Sequence, residues 1–174
     1  MADSTEIIEA PLSYEALGAM YRKMCNDPLL ANVPGKIELD RWGRMVMSPA
    51  STYHGTLQGR LAKRLAELGG EVIVEAPVLT TIGLLVPDVV WASEAFLAAH
   101  ADESPLEAAP ELCIEVTSPS NSRKELTEKT EALLAAGAVE VWIVYSRAKR
   151  IDAFGREGLL ARSRFALDLA GLFA

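Results

Sequence analysis

Glu111-Leu-Cys-Ile-Glu-Val-Thr-Ser118 reads as a β-strand, entered through Pro110 and closed by the turn Ser118-Pro-Ser-Asn-Ser122. A helix follows. Ser122 with Glu125 fits a capping box, Leu126 and Leu133 share a face, and Gly137 ends it. Glu140 to Tyr145, with Val141, Trp142, Ile143 and Val144, is a second strand. Strand, helix, strand in that order predicts a parallel crossover of right-handed sense. The fold class that grows from it is mixed α/β (α+β), a central mixed β-sheet flanked by helices.

The remaining elements fit around this unit. Ser13 to Asn26 is an amphipathic helix with Ser13 as N-cap, stopped by Asp27-Pro28. Lys36 to Leu39 and Arg44 to Met47 form a hairpin around Asp40-Arg-Trp-Gly43, ended by Ser48-Pro49. A second helix starts near Ser51 to His54 and runs to Leu68, burying Leu57, Leu61, Leu65 and Leu68. Glu71 to Leu79 and Leu84 to Trp91 are predicted as two strands paired through Thr80 to Gly83. Glu94 to Ala109 is a short helix and an ordered loop. Arg150 to Phe154 and Leu159 to Arg162 give a terminal hairpin, and the apolar tail Leu167 to Phe173 packs. The lack of a Gly-rich phosphate loop argues against a doubly wound nucleotide-binding fold.

With 174 residues, half of them apolar, the chain is expected to form one domain spanning residues 1–174. Met1 to Glu6 lacks the basic start and apolar run of a signal peptide, and polar residues and Pro87 interrupt the apolar stretch from Val78 to Ala92. No membrane segment is expected. Cys25 and Cys113 give neither a disulfide framework nor metal-ligand spacing. Cys113 alternates with core residues as a buried thiol, and the expected location is the cytoplasm. The net charge of −7 speaks against tight, extended phosphate binding. It leaves room for a local basic groove from Arg60/Lys63/Arg64, Arg123/Lys124 or Arg147/Lys149/Arg150.

Two carboxylates stand out because they interrupt core-like strands. Asp88 follows Pro87 and precedes Val89-Val90-Trp91, while Glu115 shares a strand face with Cys113 at the C-terminal end of its strand. Burying a carboxylate without a partner is costly, so two of them suggest a hard divalent cation between neighbouring strands. The plainer alternative is that Asp88 makes a turn hydrogen bond and Glu115 reaches solvent. Lys129 lies about 60° to the flank of the helix's core stripe, so it either reaches the preceding strand end or snorkels outward. Lys124 is the alternative donor. His54 could cap its helix or bind a phosphate, and Glu38 faces away from Ile37 and Leu39 as a possible extra ligand. Ser118 and Ser120 have no histidine near in sequence, and neither cysteine has a sequence-adjacent activating group.

Pro87-Asp88-Val89, Ile114-Glu-Val-Thr-Ser-Pro-Ser120, Lys129 and Gly137 to Val144 together resemble the Uma-two family of restriction-endonuclease-like proteins. Gly35-Lys-Ile-Glu-Leu39, Met47-Ser-Pro49 and His54 are similar too. The resemblance implies the PD-(D/E)XK nuclease fold, a restriction-endonuclease-like core. Two positions after Glu115, where the wider superfamily carries lysine, this chain has Thr117; the family's lysine on the next helix corresponds to Lys129. Leu133, Ala138, Val141 and Tyr145 depart from the family pattern. The resemblance implies an Mg2+-dependent (or Mn2+-dependent) endonuclease acting on DNA as a homodimer. Asp88 and Glu115, with the carbonyl of Val116, would hold the metal and Lys129 would serve catalysis, with Glu38 and His54 as further members. Two other readings stay open. One is a catalytically inactive nuclease fold that binds nucleic acid or assembles; the other is a dimer in which the tail covers a partner subunit.

Overall fold

The strand–helix–strand unit from Glu111 to Tyr145 forms the centre of the computed structural model, which describes residues 10–30, 33, 35–48, 51–119 and 121–174. In chain order the elements are α1 (Tyr14–Cys25), β1 (Lys36–Asp40), β2 (Met45–Ser48), α2 (Thr52–Leu65, continued by a 3-10 turn, Ala66–Leu68), β3 (Glu71–Val74), β4 (Val78–Thr80), β5 (Gly83–Leu85), β6 (Val89–Ala92), α3 (Glu94–His100), β7 (Leu112–Val116), α4 (Arg123–Ala135), β8 (Glu140–Tyr145), β9 (Arg150–Gly155) and β10 (Gly158–Leu159). Met1 to Glu6, Pro49 and Ser120 lie outside the described residues.

The strands form two sheets, of order β10-β9-β8-β7-β6-β3 and β2-β1-β5-β4. β7 and β8 pair in parallel from Leu112 opposite Glu140 to Val116 opposite Val144, and α4 is the crossover between them. Every other strand pair is antiparallel. The mixed sheet flanked by helices is as expected from the sequence.

Period-two alternation divides the core. On one side of the large sheet Val90, Cys113, Val141 and Ile143 pack with Leu126 and Leu133 of α4. On the other, Ile114, Val116, Trp142 and Val144 meet the Leu57, Leu61 and Leu65 stripe of α2. Burial pushes the Cys113 thiol pKa up, which keeps it unreactive. α1 covers the smaller sheet through Leu17, against Leu39, Leu79 and Leu84. Each helix starts on a serine whose Oγ accepts the amide three residues on: Ser13, Ser51, Ser93 and Ser122. The capping box at Ser122 is half formed, because the Glu125 carboxylate accepts from Asn121 Nδ2 at 3.0 Å instead.

Two expected strands are broken. Glu71 to Leu79 splits into β3 and β4, which belong to different sheets; Leu84 to Trp91 splits into β5 and β6 in the same way. The first break is made by Glu75, at φ 56, with Pro77 unable to donate to a ladder. The second falls at Val86-Pro87-Asp88. The predicted β4–β5 hairpin does form, with Thr80 opposite Gly83, and Gly83 at φ 133 lies so close to Leu39 O that a Cβ would clash.

The terminal hairpin is shorter than expected, with β10 only Gly158–Leu159. The tail packs on its own chain: Leu172 is fully buried against α2, and Arg60 donates to the carbonyls of Leu172 (3.0 Å) and Ala174 (2.5 Å). Arg64 donates to Asp168 O and Ala170 O. The tail thus has an intramolecular packing site, and it spends two of the cations that could have made a basic groove. No helix among the described residues is long and apolar enough to cross a membrane.

Candidate metal centre

The two breaks bring both sheets to one point. β1 turns Lys36 and Glu38 to the same face, since period-two alternation sends Ile37 and Leu39 the other way. Asp88 immediately precedes β6, which pairs with β7 through Val89 opposite Ile114. Glu115 faces the α4 side with Cys113, and Lys129 lies one turn before the core residue Leu133. Asp88, Glu115, Glu38 and Lys129 are all buried.

The side chains converge on two ammonium groups. Lys36 Nζ donates to Asp88 Oδ1 at 2.8 Å, to Glu115 Oε2 at 3.2 Å and to Val86 O at 2.8 Å. Lys129 Nζ donates to Glu38 Oε2 at 2.7 Å and stands 3.6 Å from Glu115 Oε1. Glu38 Oε1 accepts the Val86 N–H at 2.9 Å, so the same carboxylate ties β1 to the second break. Asp88 Oδ2 accepts the Val116 N–H at 2.7 Å, while Oδ1 also receives Gln58 Nε2 at 3.4 Å and faces His54 Nε2 at 3.2 Å. Asp88 therefore does not spend its carboxylate on a local turn, and Glu115, 5% exposed, does not reach solvent. His54 neither caps α2 nor stands free. Lys124 pairs with Glu128 on the surface, at 3.7 Å, away from this cluster.

Electrostatics follows from burial and partners. Burial alone would raise the Asp88 pKa, but the His54 hydrogen bond and the Lys36 charge hold it below the usual carboxylate range. Glu115 goes the other way: burial, aided by the Asp88 charge and opposed by Lys36 and Lys129, lifts it to about 7. His54 is raised by its hydrogen bond to Asp88. Desolvation favours neutral lysines, yet the surrounding carboxylates, Glu115 foremost, keep Lys36 and Lys129 charged.

Asp88 and Glu115 offer the oxygen donors that a hard divalent cation takes. Glu115 Oε1 is buried and has no hydrogen-bond partner, a costly state that a bound cation would relieve. Asp88 and Val116 line the same cavity of about 60 Å³, beside Lys36, His54 and Lys129. Among the described residues no three His, Cys, Asp or Glu side chains form a ready metal cage, and Lys36 stands between the two acids. A larger, mainly apolar cavity of about 320 Å³ lies between α4 and the β9–β10 hairpin, lined by Leu126, Leu134, Tyr145 and Phe154, and holds no buried carboxylate.

Three members of the cluster escaped the sequence reading. Lys36 follows from the alternation that exposed Glu38, two residues on. Gln58 follows from helical spacing, four residues after His54 on the same face of α2. The third, the Val116 N–H, carries no side-chain signal.

A family model described as "Uma2: Putative restriction endonuclease" matches residues 19–170. Among solved structures the chain is similar to a protein from Anabaena variabilis, described as "a putative nuclease belonging to DUF820". The two are 17% identical and superpose with a TM-score of 0.59 over 81% of this chain and 93% of the other, which shows a common fold. No curated protein matches the chain.

Proposed function

Since this chain belongs to the Uma2 family, described as putative restriction endonucleases, we propose that it is a divalent-metal-dependent nuclease that hydrolyses phosphodiester bonds of DNA at the Asp88–Glu115–Lys129 cluster. The observation that carries this reading is Glu115: a buried carboxylate with one oxygen that accepts no hydrogen bond, facing Asp88 across a shared ammonium. Asp88 and Glu115, with the carbonyl of Val116, are the residues to hold Mg2+ or Mn2+. Such an ion, when bound, supplies a water of lowered pKa and polarises a phosphoryl oxygen.

The protein's own groups do the rest. Lys129 stabilises the charge that develops on the phosphate, from a helix rather than from the strand position occupied by Thr117. Glu38 positions Lys129 through their 2.7 Å hydrogen bond. Gln58 and the Val116 N–H fix the Asp88 carboxylate, so its orientation is set before any ligand arrives. His54, partly buried with Nε2 on Asp88, offers its other ring nitrogen to a phosphate oxygen.

The test is conversion of supercoiled plasmid in Mg2+ or Mn2+ by the native protein, Asp88→Ala and Lys129→Ala. Cleavage by the native protein that both substitutions abolish is expected. Cleavage that survives both would reject the assignment, and DNA binding without metal-stimulated cleavage would favour a catalytically idle binding module.

A further inference from the structure

Lys36 is not needed for the lysine role assigned above, yet it is the most heavily engaged cation in the cluster. Its three N–H bonds go to Val86 O, Asp88 Oδ1 and Glu115 Oε2, at 2.8, 2.8 and 3.2 Å. The ammonium thus stands between the two carboxylates assigned to the metal. We propose that Lys36 is a placeholder cation: it occupies the metal position in the ion-free protein and swings into the neighbouring cavity, beside Glu75, when a divalent ion binds. This inference rests on the metal-binding reading of Asp88 and Glu115.

Two observations support displacement. The first is charge. Three carboxylates, Glu38, Asp88 and Glu115, face two ammoniums, Lys36 and Lys129. Adding a divalent ion to that set, with His54 also facing Asp88, leaves positive charge in excess inside a buried site; removing Lys36 lowers that excess. Lys129 is the ammonium that stays, because its short bond is to Glu38 and it makes none to Asp88. A hard divalent ion also needs the Asp88 and Glu115 oxygens at close range, and Lys36 now holds one oxygen of each.

The second is room. Lys36 also lines a separate cavity of about 230 Å³, between α1 and β1, with Tyr21, Cys25, Val86 and Glu75. Glu75 lines both this cavity and the acid cavity. Its backbone is held at φ 56, with its N–H on Asp88 O at 3.1 Å, while its carboxylate makes no ion pair among the described residues. A rotation of the Lys36 stem therefore exchanges two carboxylates, Asp88 and Glu115, for one, Glu75, without unfolding β1. Strain at a residue bonded to Asp88 is the pattern expected where structure serves a site.

Two measurements on the full chain test this. In the native protein, acetylation of lysines is followed by mass spectrometry with and without saturating Mg2+. Lys36 is expected to pass from protected to reactive while Lys129 stays protected. In parallel, Mn2+ binding to the native protein and to Lys36→Met is measured by the paramagnetic resonance of free Mn2+, with about tenfold tighter binding expected in the variant. Mn2+ binding with Lys36 still protected, or equal or weaker binding by Lys36→Met, overturns the placeholder role and leaves the metal reading standing. Absence of Mn2+ binding in both proteins overturns both. If Lys36→Met does not fold, the acetylation pattern of the native protein decides alone.

Discussion

The Val116 N–H donates to Asp88 Oδ2 at 2.7 Å, so the acid at the entrance of β6 is fixed by the backbone at the end of β7. The bond lies next to the antiparallel register that sets Val89 opposite Ile114, and β7 also brings Glu115 to the same cavity. Fold and site are therefore one arrangement. The β5–β6 break frees Asp88 from the ladder, and the neighbouring strand supplies both the donor that orients it and its fellow acid.

Removing Asp88 should destabilise the fold as well as the site. Asp88→Ala leaves Lys36, Gln58 and the Val116 N–H facing a void, and breaking such a buried pair costs about 3–5 kcal/mol. Urea unfolding of the native and variant proteins measures it. A loss under about 0.5 kcal/mol, the scale of a surface change, would mean that the pairing is not buried in solution.

The Glu38–Lys129 pair should separate stability from chemistry. Lys129→Met strands the Glu38 carboxylate; adding Glu38→Gln removes that charge, so the double variant should recover much of the lost stability, with a coupling of about 1–3 kcal/mol. Cleavage should stay at least about 100-fold down in both. Recovery of cleavage in the double variant would show that Lys129 serves only Glu38.

Stability should fall as pH rises from 5 to 8. The Glu115 pKa is raised from 4.5 to about 7, so over that window the folded state holds a proton that the unfolded state has released, and each rise in pH favours unfolding. His54, also raised, adds to the same trend, because its stabilising charge is lost as pH passes its folded pKa. Asp88, lowered from 3.8, is ionised in both states across the window and contributes no slope. The decline in thermal midpoint should be largely absent in Glu115→Gln and smaller in the native protein when Mg2+ is present. A native profile that rises through this range would contradict the burial of Glu115.

Truncation after Ala166 should destabilise the chain without altering its assembly. The cut removes fully buried Leu172 and the carbonyl partners of Arg60 and Arg64, worth about 2–5 kcal/mol for the leucine alone. Light scattering should give the same mass per particle as the intact chain, and unfolding should occur at lower denaturant. A changed particle mass with unchanged stability would favour the reading in which the tail covers a partner subunit.

Much of this was legible from residue order. The β7–α4–β8 crossover, the two acids and the lysine on α4 are each signalled by a period: two along a strand, 3.6 along a helix. What stayed hidden depends on contacts between distant segments. Glu71 to Leu79 and Leu84 to Trp91 are apolar enough to read as unbroken strands, and nothing in composition announces that Glu75 adopts φ 56 and that the chain changes sheets there. Lys36, at the start of a strand, carries no sequence signal that ties it to the acids. Its role emerges only because β1 sits in the smaller sheet, with its ammonium directed at acids 52 and 79 residues away.

A crystal soaked in Mn2+ and measured near the manganese absorption edge tests the central claim most directly. An anomalous peak bonded to both Asp88 and Glu115, with the Lys36 ammonium withdrawn from between them, is the predicted result. A peak elsewhere, or none at saturating Mn2+ with Lys36 still bridging the two acids, would contradict it.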